Sequence, residues 1–412
     1  MIERIALHEY QTTTIRLTPE DYHELQRDLG KQVTVIPSLQ AGWFDLNPGP
    51  FVGVVRLPSG LTLDLLPKVP LYNVMWMIAE VERLEGINFL ILDRNVQINT
   101  FGDILEPIAS AFVAMVEHLV DRGLYRTYIE VEENLTAIRG RIDFREDLTR
   151  NVVLRHRTWC RFTEFSWDVP ENQVIRQVLR KLAGWGFSTR LTGRLISLDR
   201  QLEDVQPGNL RPHDIDRFQY SRQSEHYRPI HRFCRLFLDG FSLSEQIGES
   251  PFDGFVMNMN VLFEQFVSMK LQHNLAGYRQ SWRLDRQSQF ALFQAQPLQI
   301  RPDLLLLHHG KPILVADTKY KRVTGADGSS SDYYQMIAYC AVLGLDTALL
   351  IYPRHLCEID QQLIVRGAGM HIHEVSIDLR ESREAIEAGF TDLAARMVGM
   401  SSPLAPTMRL VS

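Results

Sequence analysis

Lysine is scarce in this chain: seven residues against 37 arginines, in a sequence of 412 residues with net charge -6. The small acidic excess excludes a global basic field that would by itself draw the protein onto nucleic acid. The arginine bias has a plain reading as compositional habit. It also has a functional one, since a guanidinium fork matches phosphate and carboxylate better than an ammonium does. Cysteine is sparse too, at positions 160, 234, 340 and 357, and no pair has C-x-x-C spacing. Zinc knuckles and redox pairs therefore have no support, and reduced, buried thiols are expected. No run reaches the ~18 apolar residues of a membrane span. The start, MIERIALHEY, carries early charges and no apolar signal region, so a cytoplasmic chain with no membrane contact is expected. The P-loop pattern G-x-x-x-x-G-K-[ST] is missing, which excludes nucleotide hydrolysis of that kind. The G-x-S-x-G elbow of serine hydrolases is missing as well.

What is present is ordinary globular material, 45% apolar and 23% charged, in a length that predicts two or three domains. Residues 1–70 read as a β-rich region: VTVIP (33–37) and FVGVVRLPSGLTLDLLPK (51–68) are β-branched or alternating, with PSG as a hairpin turn. A single helix is predicted over 18–30, capped by Thr18 with Pro19 in its first turn and ended by Gly30. Residues 71–250 read as mainly helical, with helices over 69–86, 101–123, 169–186, 191–205 and 224–243. A strand pair over 127–144 interrupts them, turning near Glu133-Asn134. Arg139, Arg141, Arg145, Arg150, Arg155, Arg157 and Arg161 form a basic stretch that is either a solvated surface laced with ion pairs or a face for phosphate or a partner. GESPFDG (248–254) is the candidate boundary. Residues 251–400 then follow an α-β-β-β-α-β order, and 401–412 form a tail.

RPDLLLLHHGKPILVADTKYK (301–321) lies in that last region and holds Lys311, Lys319 and Lys321, three of the seven lysines. Its two strands read as buried, yet they carry Asp303, Asp317 and Lys319. Buried charges need a partner or a metal. Alternation puts Asp317 and Lys319 on one face and turns the Thr318 side chain away. The short HHGKP turn brings Asp303 beside Asp317. Two carboxylates so close repel unless a cation lies between them. Oxygen ligands with open positions suit Mg²⁺, with Mn²⁺ as a substitute. The competing reading is a structural salt-bridge cluster. His308-His309 and His371-x-His373 find no third ligand at suitable spacing for zinc.

The pattern resembles the PD-(D/E)xK nuclease superfamily: Pro302-Asp303 matches its first half and Asp317-Thr318-Lys319 its second, in that superfamily's α-β-β-β-α-β core. The resemblance implies an α+β or mixed α/β chain, with a mixed sheet flanked by helices behind an adaptor region. It implies Asp303, Asp317 and Lys319 as catalytic residues, metal held by Asp303, Asp317 and the Thr318 carbonyl, and a further ligand in Glu264, which is otherwise an exposed helix residue. Gln335 and Tyr339, four apart on the following helix, match a Gln-x-x-x-Tyr pattern of such nucleases or form a half-exposed face. Lys321 and Arg301 are either phosphate contacts or solvated edge charges. Over most of the chain, LDLLPKVP, GLYRTY, IRGRIDF, CRFTEFSWDVPEN, NVLFEQFV and DTKYK look in order like the McrC family, the nuclease subunit of the McrBC modification-dependent restriction system. That likeness implies an endonuclease directed to DNA carrying modified cytosine. It also implies dependence on a hexameric AAA+ GTPase of McrB type, which uses the GTP and is engaged through residues 1–250. Cutting both strands suggests a homodimer through the nuclease domains. A non-cutting scaffold for an AAA+ ring, and a stand-alone repair nuclease, are the alternative readings.

Overall fold

The computed structural model describes residues 4–30, 32–83, 102–153, 156–245, 254–278, 281–292, 299–322 and 330–400. In chain order, the first strands and helices are β1 (Arg4–His8), β2 (Thr13–Arg16), α1 (Pro19–Leu29), β3 (Thr34–Pro37), β4 (Trp43–Asn47), β5 (Phe51–Arg56), β6 (Thr62–Leu66) and α2 (Leu71–Val81). The middle of the chain supplies α3 (Gly102–Arg122), β7 (Thr127–Leu135), β8 (Arg141–Ile142), α4 (Phe144–Arg150), β9 (Thr158–Ser166), α5 (Pro170–Ala183), α6 (Thr189–Gln201), α7 (Pro212–Ile215) and α8 (Arg228–Glu245). Then come β10 (Gly254–Asn258), α9 (Met259–Ala276), β11 (Trp282–Arg286), β12 (Phe290–Ala291), β13 (Gln299–Ile300), β14 (Leu304–His308) and β15 (Lys311–Thr318). The last are α10 (Ser330–Leu343), β16 (Thr347–Pro353), β17 (Asp360–Ile364), β18 (His371–Ile377) and α11 (Arg383–Met400).

The chain forms two compact units, one whose described residues fall in 1–83, 102–104 and 243–400, the other in 105–242. This grouping departs from the division by chain position into 1–70, 71–250 and 251–400. The N-terminal strands join the C-terminal part, and the physical reason is β10. It lies just past the candidate boundary, most of which is outside the described residues, and pairs antiparallel with β5. The resulting sheet has the order β1-β6-β5-β10, with β1 and β6 parallel. Gly53 permits the junction: at φ 152° it faces Val256, and a Cβ there would sit 2.0 Å from the Phe255 carbonyl oxygen. A second small sheet, β2-β4-β3, and α1 share one core with it, built from Leu7, Ile15, Leu25, Leu46, Leu63 and Val256 among others. Thr18 caps α1 as predicted, accepting from the Asp21 N–H while Asp21 answers to the Thr18 backbone, a reciprocal box.

The C-terminal part of this unit is a six-stranded mixed sheet, β11-β14-β15-β16-β18-β17. The α9-β11-β14-β15-α10-β16 succession is the predicted mixed order, with the small β12–β13 hairpin inserted. β14 and β15 form the expected antiparallel hairpin, and β16 joins β15 in parallel through α10. Leu305, Val315 and Leu350 pack on Met336 and Cys340 of α10. α9 is tied to α2 and α11 by rings, Phe266 lying edge-on to both Trp76 and Phe390. Lys270 of α9 is buried there, its ammonium 2.7 Å from Glu387 and 3.3 Å from Glu80.

In the second unit, β7-β9-β8 form a sheet, and α5 packs on α6. β9 and α4 were not foreseen. The IRGR turn needs Gly140, which has φ 69° and whose Cβ would fall 2.4 Å from the Arg161 carbonyl oxygen. Much of the arginine stretch is paired: Arg161 with Glu132 and Asp143, Arg150 with Glu146. His231 of α8 is buried among Phe218, Tyr220 and Tyr227. Its Nε2 lies 2.9 Å from the Glu171 carbonyl and its Nδ1 2.9 Å from the Tyr220 hydroxyl, so a neutral ring donates to the first and accepts from the second. Burial pushes its pKa down to about 4 from 6.5. Protons therefore bind the unfolded chain first. The stabilisation is full above pH 6.5 and is lost as pH falls toward 4, about 3 kcal/mol in all. Urea midpoints of the wild type are expected to drop more steeply over that range than those of His231→Gln. Parallel slopes would contradict it.

Candidate active site

Asp303 stands on the bend that precedes β14, one residue outside the ladder in which Leu304 faces Ala316. That step places it opposite Asp317 on β15. Asp317 is only 2% exposed. Burial first, and then repulsion from Asp303, hold its carboxyl above the usual carboxylate range, against the pull of Lys319. The Lys319 ammonium answers this charge at 2.5 Å. It also donates to Gln335 Oε1 at 2.8 Å, and Gln335 Nε2 donates to the Tyr339 hydroxyl at 2.6 Å. Tyr339 in turn donates to the Arg301 carbonyl at 3.2 Å. Burial and the nearby Asp317 push its phenol up to about 12, so it stays a donor. The helix spacing thus brings Gln335 and Tyr339 to the acid pair as a bracing chain for the lysine.

Thr318 departs from the expectation. Its hydroxyl and its backbone N–H both donate to Asp303 Oδ2, each at 2.8 Å. Strict alternation turned this side chain away. Asp303, being off the strand, reaches round the end of β15 instead and caps its last residue. Lys321 is 2.5 Å from Asp332 Oδ2, and Lys319 is 4.0 Å from the other oxygen. Asp332, 5% exposed and in the first turn of α10, neutralises Lys321, which was read as either a phosphate contact or a solvated edge charge.

Glu264 of α9 is turned toward Gln287, whose Nε2 donates to it at 2.5 Å. Burial, then the Asp303 charge, raise its pKa. Gln287 was not foreseen. It takes φ 48°, a left-handed conformation costly for a residue with a Cβ. Its N–H bonds the Asp303 carbonyl at 2.9 Å, and Arg301 donates to its side-chain oxygen. Arg301 is thereby engaged within the site. No sequence motif marks Gln287; its signal is conformational.

Among the described residues, no group of three or more His, Cys, Asp and Glu closes into a metal cluster. The donor set that does converge is the Asp303–Asp317 pair. Mg²⁺ is commonly held by one or two carboxylates, with water and substrate phosphate filling the other positions. Burial does most to raise Asp317, and the repulsion from Asp303 that adds to it is what a divalent cation would relieve. The pair fits such an ion; Glu264 takes the Gln287 bond on Oε1, and a carboxylate can keep such a bond while it ligates through its other oxygen.

Comparison with known proteins bears on the whole chain. The family described as McrBC 5-methylcytosine restriction system component matches residues 46–353. The "Type IV methyl-directed restriction enzyme EcoKMcrBC" of Escherichia coli (strain K12) is 22% identical over 337 residues, which is 76% of this chain and 93% of that protein. A chain of the half-complex from a tetradecameric assembly of Thermococcus gammatolerans McrB AAA+ hexamers with bound McrC superposes with a TM-score of 0.62. It is 17% identical, with 96% of this chain and all of the other covered, so it speaks to the fold.

Proposed function

This chain belongs to the family of McrBC 5-methylcytosine restriction system components, and from that premise we propose that it is the Mg²⁺-dependent endonuclease subunit of a GTP-driven complex acting on DNA with modified cytosine. The observation that carries the reading is the buried Asp317 opposite the half-buried Asp303, with the Lys319 ammonium beside it. A salt bridge alone would leave one carboxylate too many. Asp303, Asp317 and the Thr318 carbonyl would hold the ion, with Glu264, oriented by Gln287, as a further ligand. When bound, Mg²⁺ supplies charge neutralisation and an acidified water at the phosphodiester. Lys319, fixed by Gln335, orients the attacking water and offsets charge that grows on the phosphoryl oxygens.

An AAA+ GTPase ring is the proposed partner, by analogy with the McrB AAA+ hexamers with bound McrC of the Thermococcus gammatolerans assembly. Exposed apolar side chains on the second unit, among them Ile138 at 64%, Phe144 at 69% and Leu148 at 73%, support a partner-binding face there. That no group of three or more His, Cys, Asp and Glu closes into a metal cluster among the described residues favours a second reading, a scaffold that assembles the ring without cutting. The deciding assay is cleavage of methylated and unmethylated DNA, each with and without GTP, the neighbouring AAA+ protein and Mg²⁺. Cleavage is expected only with all of them present and the DNA methylated, and chelation of the metal abolishes it. Stimulated GTPase without cleavage in any condition leaves the scaffold. Cleavage of unmethylated DNA without GTP leaves a stand-alone nuclease.

A further inference from the structure

Tyr320 follows Lys319 and has no part in the chemistry proposed above, yet it is 3% exposed and heavily bonded. Its hydroxyl donates to both carboxylate oxygens of Glu9, at 3.0 Å each. Glu9 follows β1 and is fully buried; it also accepts the Lys68 backbone N–H at 2.7 Å, and His355 Nε2 lies 3.5 Å from it. The next residue, Tyr10, has φ 54° and sends its own hydroxyl to the Tyr320 carbonyl at 2.5 Å. The Tyr320 ring packs on Phe263, the neighbour of Glu264.

Stability by itself is a poor reason for such a cluster. A fully buried carboxylate is costly, and a well-packed apolar replacement is often as stable. Its position supplies a better reason. The ladder of β15 with β16 ends at Thr318, and the last main-chain bond to β16 is from Lys319 N–H to the Ile351 carbonyl. Past that point, Glu9 holds the Tyr320 side chain and Tyr10 holds its carbonyl.

We infer that Glu9 and Tyr10 are positioning residues, which clamp Tyr320 from the N-terminal strand and so fix the Lys319 ammonium against Asp317. This rests on the reading of Lys319 as catalytic, so the test includes a measure that needs no cleavage. Full-length wild type, Glu9→Gln and Tyr10→Phe are treated with limiting acetic anhydride. Acetylation of Lys319 is read by mass spectrometry against Lys311, an exposed lysine at the start of β15. Single-turnover cleavage and stimulation of the partner GTPase are measured on the same preparations.

The Lys319-to-Lys311 ratio is expected to rise several-fold in both variants. The cleavage rate is expected to fall about tenfold or more, as loss of alignment commonly costs, with the half-saturating DNA concentration and the GTPase stimulation unchanged. Wild-type ratios in a folded Glu9→Gln or Tyr10→Phe chain overturn the inference. So does a rise at Lys319 matched at every other lysine, which signals general loosening. If Glu9→Gln does not fold, the milder Tyr10→Phe decides. Should the ratio rise in a chain that never cuts DNA, positioning stands and the nuclease reading fails. Should Asp303→Ala abolish cleavage while both variants keep wild-type ratios and rates, the reverse holds.

Discussion

Lys319→Ala is expected to lower single-turnover DNA cleavage by about a hundred- to a thousand-fold, the usual cost of removing one donor aimed at developing charge. Two losses combine. The ammonium 2.5 Å from Asp317 disappears, and with it the charge that steadies the transition state. Asp317, 2% exposed and already pushed toward protonation by burial and by Asp303, loses its opposing cation and becomes a poorer ligand. Asp303→Ala is expected to fall in the same range. It removes one of the converging carboxylates and leaves the N–H and hydroxyl of Thr318 without their acceptor. In both variants, stimulation of the partner GTPase should persist. Cleavage within about tenfold of wild type in either one would falsify the catalytic assignment, since losing a group aimed at the developing charge costs about a hundredfold or more.

Lys270→Ala carries the largest expected loss of stability, about 3 kcal/mol, at the lower end of the cost of breaking a buried pair. Lys270 is 7% exposed in its side chain and lies between Glu80 of α2 and Glu387 of α11. Its ammonium also lies 4.8 Å from the centre of the Trp76 ring. The lower end applies because Glu80 and Glu387 keep 24% and 35% exposure and can turn to water once deserted. The melting temperature should fall by roughly 5–10 °C. Lys270→Met keeps the apolar stem over the ring and should cost less than half of this. Equal losses in the two variants would show that charge, not packing of the stem, holds the three helices together.

The sequence revealed what short range encodes. Period-two alternation placed Asp317 and Lys319 on one face, and the turn at HHGKP fixed the hairpin that brings Asp303 to them. The four-residue step from Gln335 to Tyr339 reads directly as a shared helix face, now seen as the brace on Lys319. Contacts across long separations leave no such trace. Glu9 meets Tyr320 across 311 positions, and nothing in the local pattern of HEY announces a buried carboxylate. Gln287 looks like any polar loop residue until its left-handed backbone is known. Thr318 was misjudged because alternation presumes that its neighbour lies within a strand, and Asp303 lies just outside one. The compact units cross the division by chain position for a related reason: β5 finds its partner in β10, beyond a stretch that composition marks as a break.

That pairing of β5 with β10 sets an order of events during synthesis. The inner strand ends at Arg56, and its neighbour begins at Gly254. At ribosomal speeds of roughly 5–20 residues per second, the intervening chain takes about 10–40 seconds to emerge. Throughout that interval β5 has a raw edge, and raw edges recruit other chains. Residues 105–242 form a compact unit that can fold in the meantime. A nascent chain stalled before residue 254 would therefore keep that edge open to other chains.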